Sequence, residues 1–193
     1  SREAAVLAGA PWAEACFRAL DPGVELQWQV NDGGRLVADG VFVTITGMAR
    51  ALVTAERSAI NFLQLLSATA SVTADFVARV QGTKTRILDT RKTLPGLRLA
   101  QKYAVRCGGG VNHRIGLFDA VMLKENHIVA AGSIARAAAE ARRLHPALPL
   151  ICEIESLDEL AQAMDARVGR VLIDDFSLED MRAAVALAAG RVP

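Results

Sequence analysis

Charged side chains follow four candidate strands of this chain, and their signs are sorted along it. Thr90, Arg91 and Lys92 follow residues 86–89; Lys124, Glu125, Asn126 and His127 follow 120–123; Glu153 and Glu155 close 148–154; Asp174 and Asp175 follow 170–173. Parallel strands covered by helices would bring these ends to one rim, where β/α barrels gather their reactive groups. Between residues 86 and 127 the basic Arg86, Arg91, Lys92, Arg98, Lys102, Arg106, Arg114 and Lys124 face only Asp89, Asp119 and Glu125, whereas the later runs end in carboxylates. The first half therefore suits a strongly anionic ligand. Guanidinium forks pair bidentately with carboxylates or phosphates, so planar carboxylates are natural partners for the arginines. The later carboxylates suit ligand hydroxyls or a hard divalent cation bound through the ligand. Magnesium with a phosphorylated sugar satisfies both halves.

Several of these residues also have plainer structural readings. Arg98, Lys102 and Arg106 recur at helical spacing, as a solvated face would. Gly108, Gly109 and Gly110 read as a flexible turn or as backbone approaching a phosphate. His145, before Pro146, reads as a surface residue at a helix end, and Arg57, judged alone, as a surface charge. Lys124 reads either as a salt-bridge lysine or as a Schiff-base nucleophile of an aldolase-like enzyme. His113 beside Arg114 stands out because the glycines lead directly into the pair.

The elements that must position these groups are legible in the periodicity. Residues 24–30 and 41–46 are rich in β-branched and aromatic side chains around the turn cluster Asn31, Asp32, Gly33, Gly34, which predicts a small antiparallel meander. Apolar residues then recur at spacings of three and four over 51–80, with no Pro or Gly before Gly82, which predicts a long helix. Beyond it, strands at 86–89, 120–123, 148–154 and 170–173 alternate with helices near 97–106, 133–144, 157–166 and 178–189, the pattern of a parallel sheet. Ser133, Ser156 and Ser177 each precede a helical run, and Glu159 completes a capping-box pattern with Ser156.

Composition narrows the setting. With 52% hydrophobic residues, 22 basic against 21 acidic side chains and a net charge of +1, the 193-residue chain can bury a core and offers no general attraction for nucleic acid or an anionic membrane. Apolar stretches such as 183–190 are far too short to span a bilayer, and Glu3 and Glu14 make 1–15 a poor signal peptide. Cys16, Cys107 and Cys152 form no disulfide framework, so a reducing, cytoplasmic compartment is expected.

The motifs themselves carry a resemblance. The run Asp89-Thr-Arg-Lys-Thr-Leu-Pro-Gly-Leu-Arg98, then Lys102-Tyr-Ala-Val, Gly108-Gly-Gly-Val-Asn-His-Arg114 and Asp119-Ala-Val-Met-Leu-Lys-Glu-Asn-His-Ile128 resembles the quinolinate phosphoribosyltransferases, also called carboxylating nicotinate-nucleotide pyrophosphorylases. The similarity extends from Glu56-Arg-Ser-Ala-Ile-Asn-Phe62 through Glu153-Ile-Glu155 to Asp174-Asp-Phe176. It implies an α/β protein: a small α+β N-terminal domain over 1–82, followed over 83–193 by a type II phosphoribosyltransferase α/β barrel of about four βα units. Both ends are expected to be incomplete, with the glycine-rich 5-phosphate loops lying beyond Pro193.

The implied reaction joins quinolinate to phosphoribosyl pyrophosphate with magnesium, giving nicotinate mononucleotide, pyrophosphate and CO2 in de novo NAD biosynthesis. By motif position, Arg57, Arg91, His113, Arg114 and Lys124 would bind the quinolinate carboxylates, and Lys92 the phosphoribosyl pyrophosphate. Glu153 and Asp174 would meet its ribose hydroxyls or the metal. The resemblance makes Lys92, Lys124, Glu153 and Asp174 the catalytic set, and implies a homodimer in which Arg57 reaches into the neighbouring subunit's site. A nicotinate-specific relative, the molybdenum-transport-linked paralogue and a catalytically inactive fragment are the alternatives. Asp175 departs from the family's usual Asn, placing an extra negative charge near the ribose or metal.

Overall fold

The computed structural model describes residues 1–193, which form two compact units, Ser1–Ile115 and Gly116–Pro193. In the first unit, β1 (Ala5–Val6) pairs antiparallel with β3 (Arg35–Leu36), and β2 (Glu25–Trp28) pairs antiparallel with β4 (Val43–Thr46). The predicted meander is thus two separate two-stranded pairs rather than one sheet. The turn cluster at 31–34 sends the chain back to β1: Gly33 N donates to Leu7 O (2.8 Å) and Leu7 N to Gly34 O (2.9 Å).

Two helices of this unit begin without a side-chain cap of their own and are served by distant carboxylates. At the start of α1 (Ala10–Arg18), Asp32 accepts from Gly9 N (3.0 Å) and Ala10 N (3.2 Å). At the start of α2 (Ala49–Arg79), Asp21 accepts from Met48 N (3.0 Å). Both satisfy otherwise orphaned helix-start donors and place negative charge at the positive end of the helix.

Along α2 the buried positions Ala51, Ala55, Ala59, Leu66, Ala70 and Thr73 follow helical spacing, and most are small. Small side chains let neighbours approach closely. Ala13 and Phe17 of α1 pack on Ala55 and Ala59. Ala100 and Ala104 of α3 (Arg98–Cys107) pack with Leu66, Ala70 and Val6. Leu66 is wholly buried, worth about 2 kcal/mol of transfer free energy. By length and composition α2 would also suit a membrane, unlike the short stretches singled out from sequence. It packs against α1, β1 and α3.

The predicted strand at 86–89 is reduced to a single parallel bridge between Leu88 and Val111. Val111 N donates to Ile87 O (2.8 Å) and Asp89 N to Val111 O (3.1 Å). The ladder then stops because the next donor, His113 N, turns to the Asp89 side chain (2.8 Å).

In the second unit, β5 (Val121–Leu123), β6 (Leu150–Ile154) and β7 (Arg170–Ile173) form a parallel sheet in that order. Val121 lies opposite Leu150, and Ile151 opposite Arg170. The connections carry α4 (Glu125–Ala131), α5 (Ile134–Leu144) and α6 (Leu157–Asp165), and α7 (Leu178–Ala188) follows β7. Leu123, Ile134, Ala138, Leu150, Cys152, Ile154 and Leu160 make the shared core. Each predicted serine cap is present: Ser133, Ser156 and Ser177 accept from Arg136 N (3.2 Å), Glu159 N (3.2 Å) and Asp180 N (3.1 Å). Glu159 reaches back to Glu155 N (2.8 Å), one residue earlier than a standard capping box.

Candidate active site

In the first unit the segments that carry Arg91, Lys92, His113 and Arg114 meet at a buried ion pair. Lys102, expected on a solvated face, is buried on α3, and its ammonium meets the Asp89 carboxylate; their side chains are 2% and 5% exposed. Helix α3 is packed on more than one side: Ala100 and Ala104 against α2, Lys102 against the bridge segments. A single-face reading of its periodicity therefore fails. A buried lysine without a partner would be costly, and here both charges are matched and hydrogen-bonded. Lys102 Nζ also donates to His113 O (3.0 Å), and Asp89 accepts from His113 N (2.8 Å). The Asn112 amide, with its nitrogen turned inward, donates to Asp89 Oδ2 (2.9 Å) and Lys102 O (3.0 Å).

Helix α3 holds the preceding segment as well. Gln101 Oε1 accepts from Leu94 N (2.8 Å), and Arg98 Nε approaches Thr93 Oγ1 at 3.4 Å. Lys92 is exposed above a turn in which its N–H donates to Thr90 Oγ1 (2.9 Å). Arg91 is half-buried, and its Nε has no acceptor in the protein. Buried donors are rarely left unpaired, so this one suits an anionic ligand.

The glycines after α3 have a packing role. A side chain on Gly108 would stand 2.3 Å from Ala70 O and 2.7 Å from Thr73 Cβ, and one on Gly110 would stand 2.9 Å from Thr73. They let the loop press against α2. Arg57 lies far up the same helix, about 24 Å along the axis from Thr73 at 1.5 Å per residue. It is exposed and forms no ion pair.

In the second unit the groups sit at the carboxyl ends of the strands. Lys124, the residue after β5, ion-pairs with Glu153 of β6 at 2.5 Å. Lys124 is the N-cap of α4, and Glu125, Asn126 and His127 form its first turn. Lys124 N donates to His127 Nδ1 (3.1 Å), which assigns the neutral ring's proton to Nε2. The contact with Glu153 is that of a salt-bridge lysine, one of its two readings from sequence. Asp174 is exposed beyond β7, its N–H bonded to Ile154 O (3.0 Å).

Carboxylates crowd this end. The Glu155 carboxyl is pushed up by neighbouring Glu125, with smaller contributions from burial, Glu159 and Asp174. A cleft of about 290 Å³ beside it is lined by Glu155, Asp158, Asp175 and Asp180, walls that repel free anions. Asp175 has φ +54°, the left-handed region that Asn and Asp tolerate best, so either residue meets the backbone demand there. No group of three or more His, Cys, Asp or Glu side chains is arranged to hold a metal ion. The carboxylates of Glu153 and Asp174 nevertheless have the donor chemistry of a magnesium site shared with ligand phosphates, which needs only one or two protein ligands.

Both stretches of the chain match one family. The model described as "Quinolinate phosphoribosyl transferase, N-terminal domain" covers residues 1–67, and the corresponding C-terminal domain covers 69–192. This chain belongs to the quinolinate phosphoribosyltransferase family. It is 42% identical over 189 residues to a probable carboxylating nicotinate-nucleotide pyrophosphorylase of Synechocystis, covering 97% of this chain and 64% of that one. A Mycobacterium leprae nicotinate-nucleotide pyrophosphorylase is 41% identical over 197 residues, covering 100% of this chain and 68% of its own length. The solved nicotinate-nucleotide pyrophosphorylase of Francisella tularensis superposes with a TM-score of 0.97 at 46% identity, over 100% of this chain and 69% of that one. The chain thus spans roughly two thirds of its relatives' length.

The quinolinate phosphoribosyltransferase domains change between residues 67 and 69, within α2, whereas contacts divide the chain after Ile115. Residues 83–115, assigned from sequence to the second domain, lie in the first compact unit. Among the predicted site residues, Arg91, Lys92, His113 and Arg114 share the loops around Asp89 and Lys102, and Lys124 and Glu153 touch directly. Sequence reasoning missed the roles of Asp89, Gln101, Lys102 and Asn112. The one signal was an aspartate at the end of a candidate strand followed by a helix carrying Lys102, a cation able to pair with it.

Proposed function

We propose that this protein transfers a phosphoribosyl group from phosphoribosyl pyrophosphate to quinolinate with decarboxylation, yielding nicotinate mononucleotide, pyrophosphate and CO2. The observation that carries this reading is the family match over nearly the whole chain, at residues whose chemistry suits the reaction. Quinolinate is a dianion, so holding it near a pyrophosphate requires fixed cations in a site of reduced dielectric. In this reading Arg91, His113, Arg114 and Lys124 bind its carboxylates, a role that the acceptor-free Nε of Arg91 suits. Lys92, exposed on its turn, meets the pyrophosphate.

The ring nitrogen donates its lone pair to the anomeric carbon while the bond to pyrophosphate breaks, its electron pair leaving on the pyrophosphate oxygen. Glu153 and Asp174 face the positive charge that grows on the ribose, and Lys92 the negative charge on the leaving group. The bond to the adjacent carboxylate then breaks, CO2 departs, and the electron pair remains on the ring carbon beside the cationic nitrogen until a solvent proton takes it. Positioning dominates, and no protein nucleophile is required. Glu153 and Asp174 would also hold magnesium with the pyrophosphate, where the ion neutralises charge on the leaving oxygens.

The functional unit is a homodimer in this reading, with Arg57 serving the neighbouring site and the protein working in the cytoplasm. Its exposure, and its distance along α2 from the glycine loop, support that assignment for Arg57. The test is conversion of quinolinate and phosphoribosyl pyrophosphate by the purified protein, with quinolinate binding read by calorimetry. Arg114→Ala and Lys124→Ala are expected to abolish measurable quinolinate binding. Conversion of nicotinate but not quinolinate would refute the assignment in favour of a related superfamily activity.

A further inference from the structure

We propose that α3 is the positioning element of the substrate-binding loops in the first unit. Lys102 and Gln101 act there as positioning residues on loops that carry the binding groups. The proposal rests on the activity reading only for the identity of the ligand.

The geometry is specific. Lys102, together with Asp89, holds both backbone polar groups of His113: the ammonium donates to His113 O (3.0 Å), and the carboxylate accepts from His113 N (2.8 Å). Fixing N and O of one residue fixes its peptide planes, and with them the direction of its side chain and the entry to Arg114. Asp89 also begins the segment that carries Arg91 and Lys92, so one ion pair ties two loops to one helix. One residue earlier on α3, Gln101 Oε1 accepts from Leu94 N (2.8 Å) and closes that segment from its other end. Arg91 and Lys92 thus lie between two anchors on consecutive residues of a single helix.

Stability alone is a weak explanation for the pair. A buried ion pair is often replaceable by apolar groups without loss, because desolvation offsets most of the attraction. What apolar groups cannot reproduce is the hold on His113 N and O.

The experiment compares two neutral pairs in the full protein. Asp89→Asn/Lys102→Met removes both charges and the donor to His113 O; Asp89→Asn/Lys102→Gln removes the charges but restores an N–H donor. Amide hydrogen exchange at 111–115 is measured without ligand, quinolinate affinity by calorimetry, and global stability by denaturant unfolding. The Met pair should keep its unfolding midpoint while exchange at 111–115 quickens and quinolinate affinity falls, the latter by roughly tenfold, short of the roughly hundredfold that a 1 Å misplacement can cost. The Gln pair should recover most of both losses. A folded Met pair with unchanged exchange and affinity, or two pairs equally impaired, overturns the proposal.

Gln101→Ala supplies an arm that does not disturb the buried pair. It should quicken exchange at 91–94 and raise KM for phosphoribosyl pyrophosphate more than it lowers kcat, with the unfolding midpoint unchanged. No change in either overturns the role of Gln101 even if the Met pair fails to fold. If the unaltered protein does not bind quinolinate, the activity reading falls, while the exchange measurements still decide whether α3 positions the loops.

Discussion

Asp32 joins three parts of the first unit through one carboxylate, and its removal should be felt in all of them. Asp32→Ala deletes the acceptor for Gly9 N (3.0 Å) and Ala10 N (3.2 Å) at the start of α1 and for the Tyr103 hydroxyl (2.7 Å) on α3. Hydrogen bonds to a charged group contribute about 1.5–3 kcal/mol each, and a carboxylate at a helix N-terminus adds about 0.3–1 kcal/mol. Asp32 is half-buried, so water can reach the freed donors, and the lower end of each range applies. The expected loss is about 5 kcal/mol for Asp32→Ala and about 1–2 kcal/mol for Asp32→Asn, which keeps an acceptor. Chemical denaturation of both variants, with Tyr103→Phe and the double replacement, should give a coupling of about 1–2 kcal/mol between Asp32 and Tyr103.

Alkaline titration gives an independent reading of the same contact. Burial, then the hydrogen bond and charge of Asp32, push the Tyr103 phenol well above its usual value of 10.0. A group with a raised folded-state pKa contributes stability that is complete below the unfolded value and is lost as the pH climbs from there through the folded value. Tyr103 is the chain's only tyrosine, so tyrosinate absorbance reports it alone. Ionisation should be delayed in the unaltered protein and should begin at lower pH in Asp32→Asn. A stability loss below about 1 kcal/mol for Asp32→Ala, or a phenol that titrates near its usual value, would refute the reasoning.

Gly108→Ala should destabilise the protein by about 3 kcal/mol in denaturant unfolding, the upper end of overpacking costs, because its new methyl meets the Ala70 backbone oxygen, which has little room to move. Cys152 is wholly buried and its thiol is pushed up to about 11, first by burial and then by Glu159 and Glu153. At neutral pH a thiol reagent should therefore modify Cys16 before Cys152, as peptide mass spectrometry after timed quenching would show.

The parts of the fold that were legible in the sequence are those where one physical signal dominates. The serine caps, the long helix and the strands at 121–123, 150–154 and 170–173 follow from period and cap chemistry, and these elements form. The elements that were not legible depend on partners distant in sequence. Helix α1 starts where Asp32 supplies an acceptor from elsewhere, and the run at 86–89 fails to extend because Asp89 captures His113 N. Lys102 was misplaced for the same reason: a helix packed on several sides has no single polar face. The Lys124–Glu153 contact was implicit in four strand ends carrying charge, but their pairing required the register of β5 on β6.

The tryptophans, Trp12 and Trp28, and the lone tyrosine all fall within Ser1–Ile115, with Trp12 and Tyr103 ring centroids 5.2 Å apart. Gly116–Pro193 contains neither tryptophan nor tyrosine. Intrinsic fluorescence excited at the tryptophan band is therefore a reporter of one unit and dark to the other. A melt followed by emission and by far-ultraviolet circular dichroism weighs the units differently. Coincident curves would mean that the units unfold together, and separated curves that each has its own transition. The uneven placement of three side chains gives this protein a built-in optical label, with no dye or engineered residue needed.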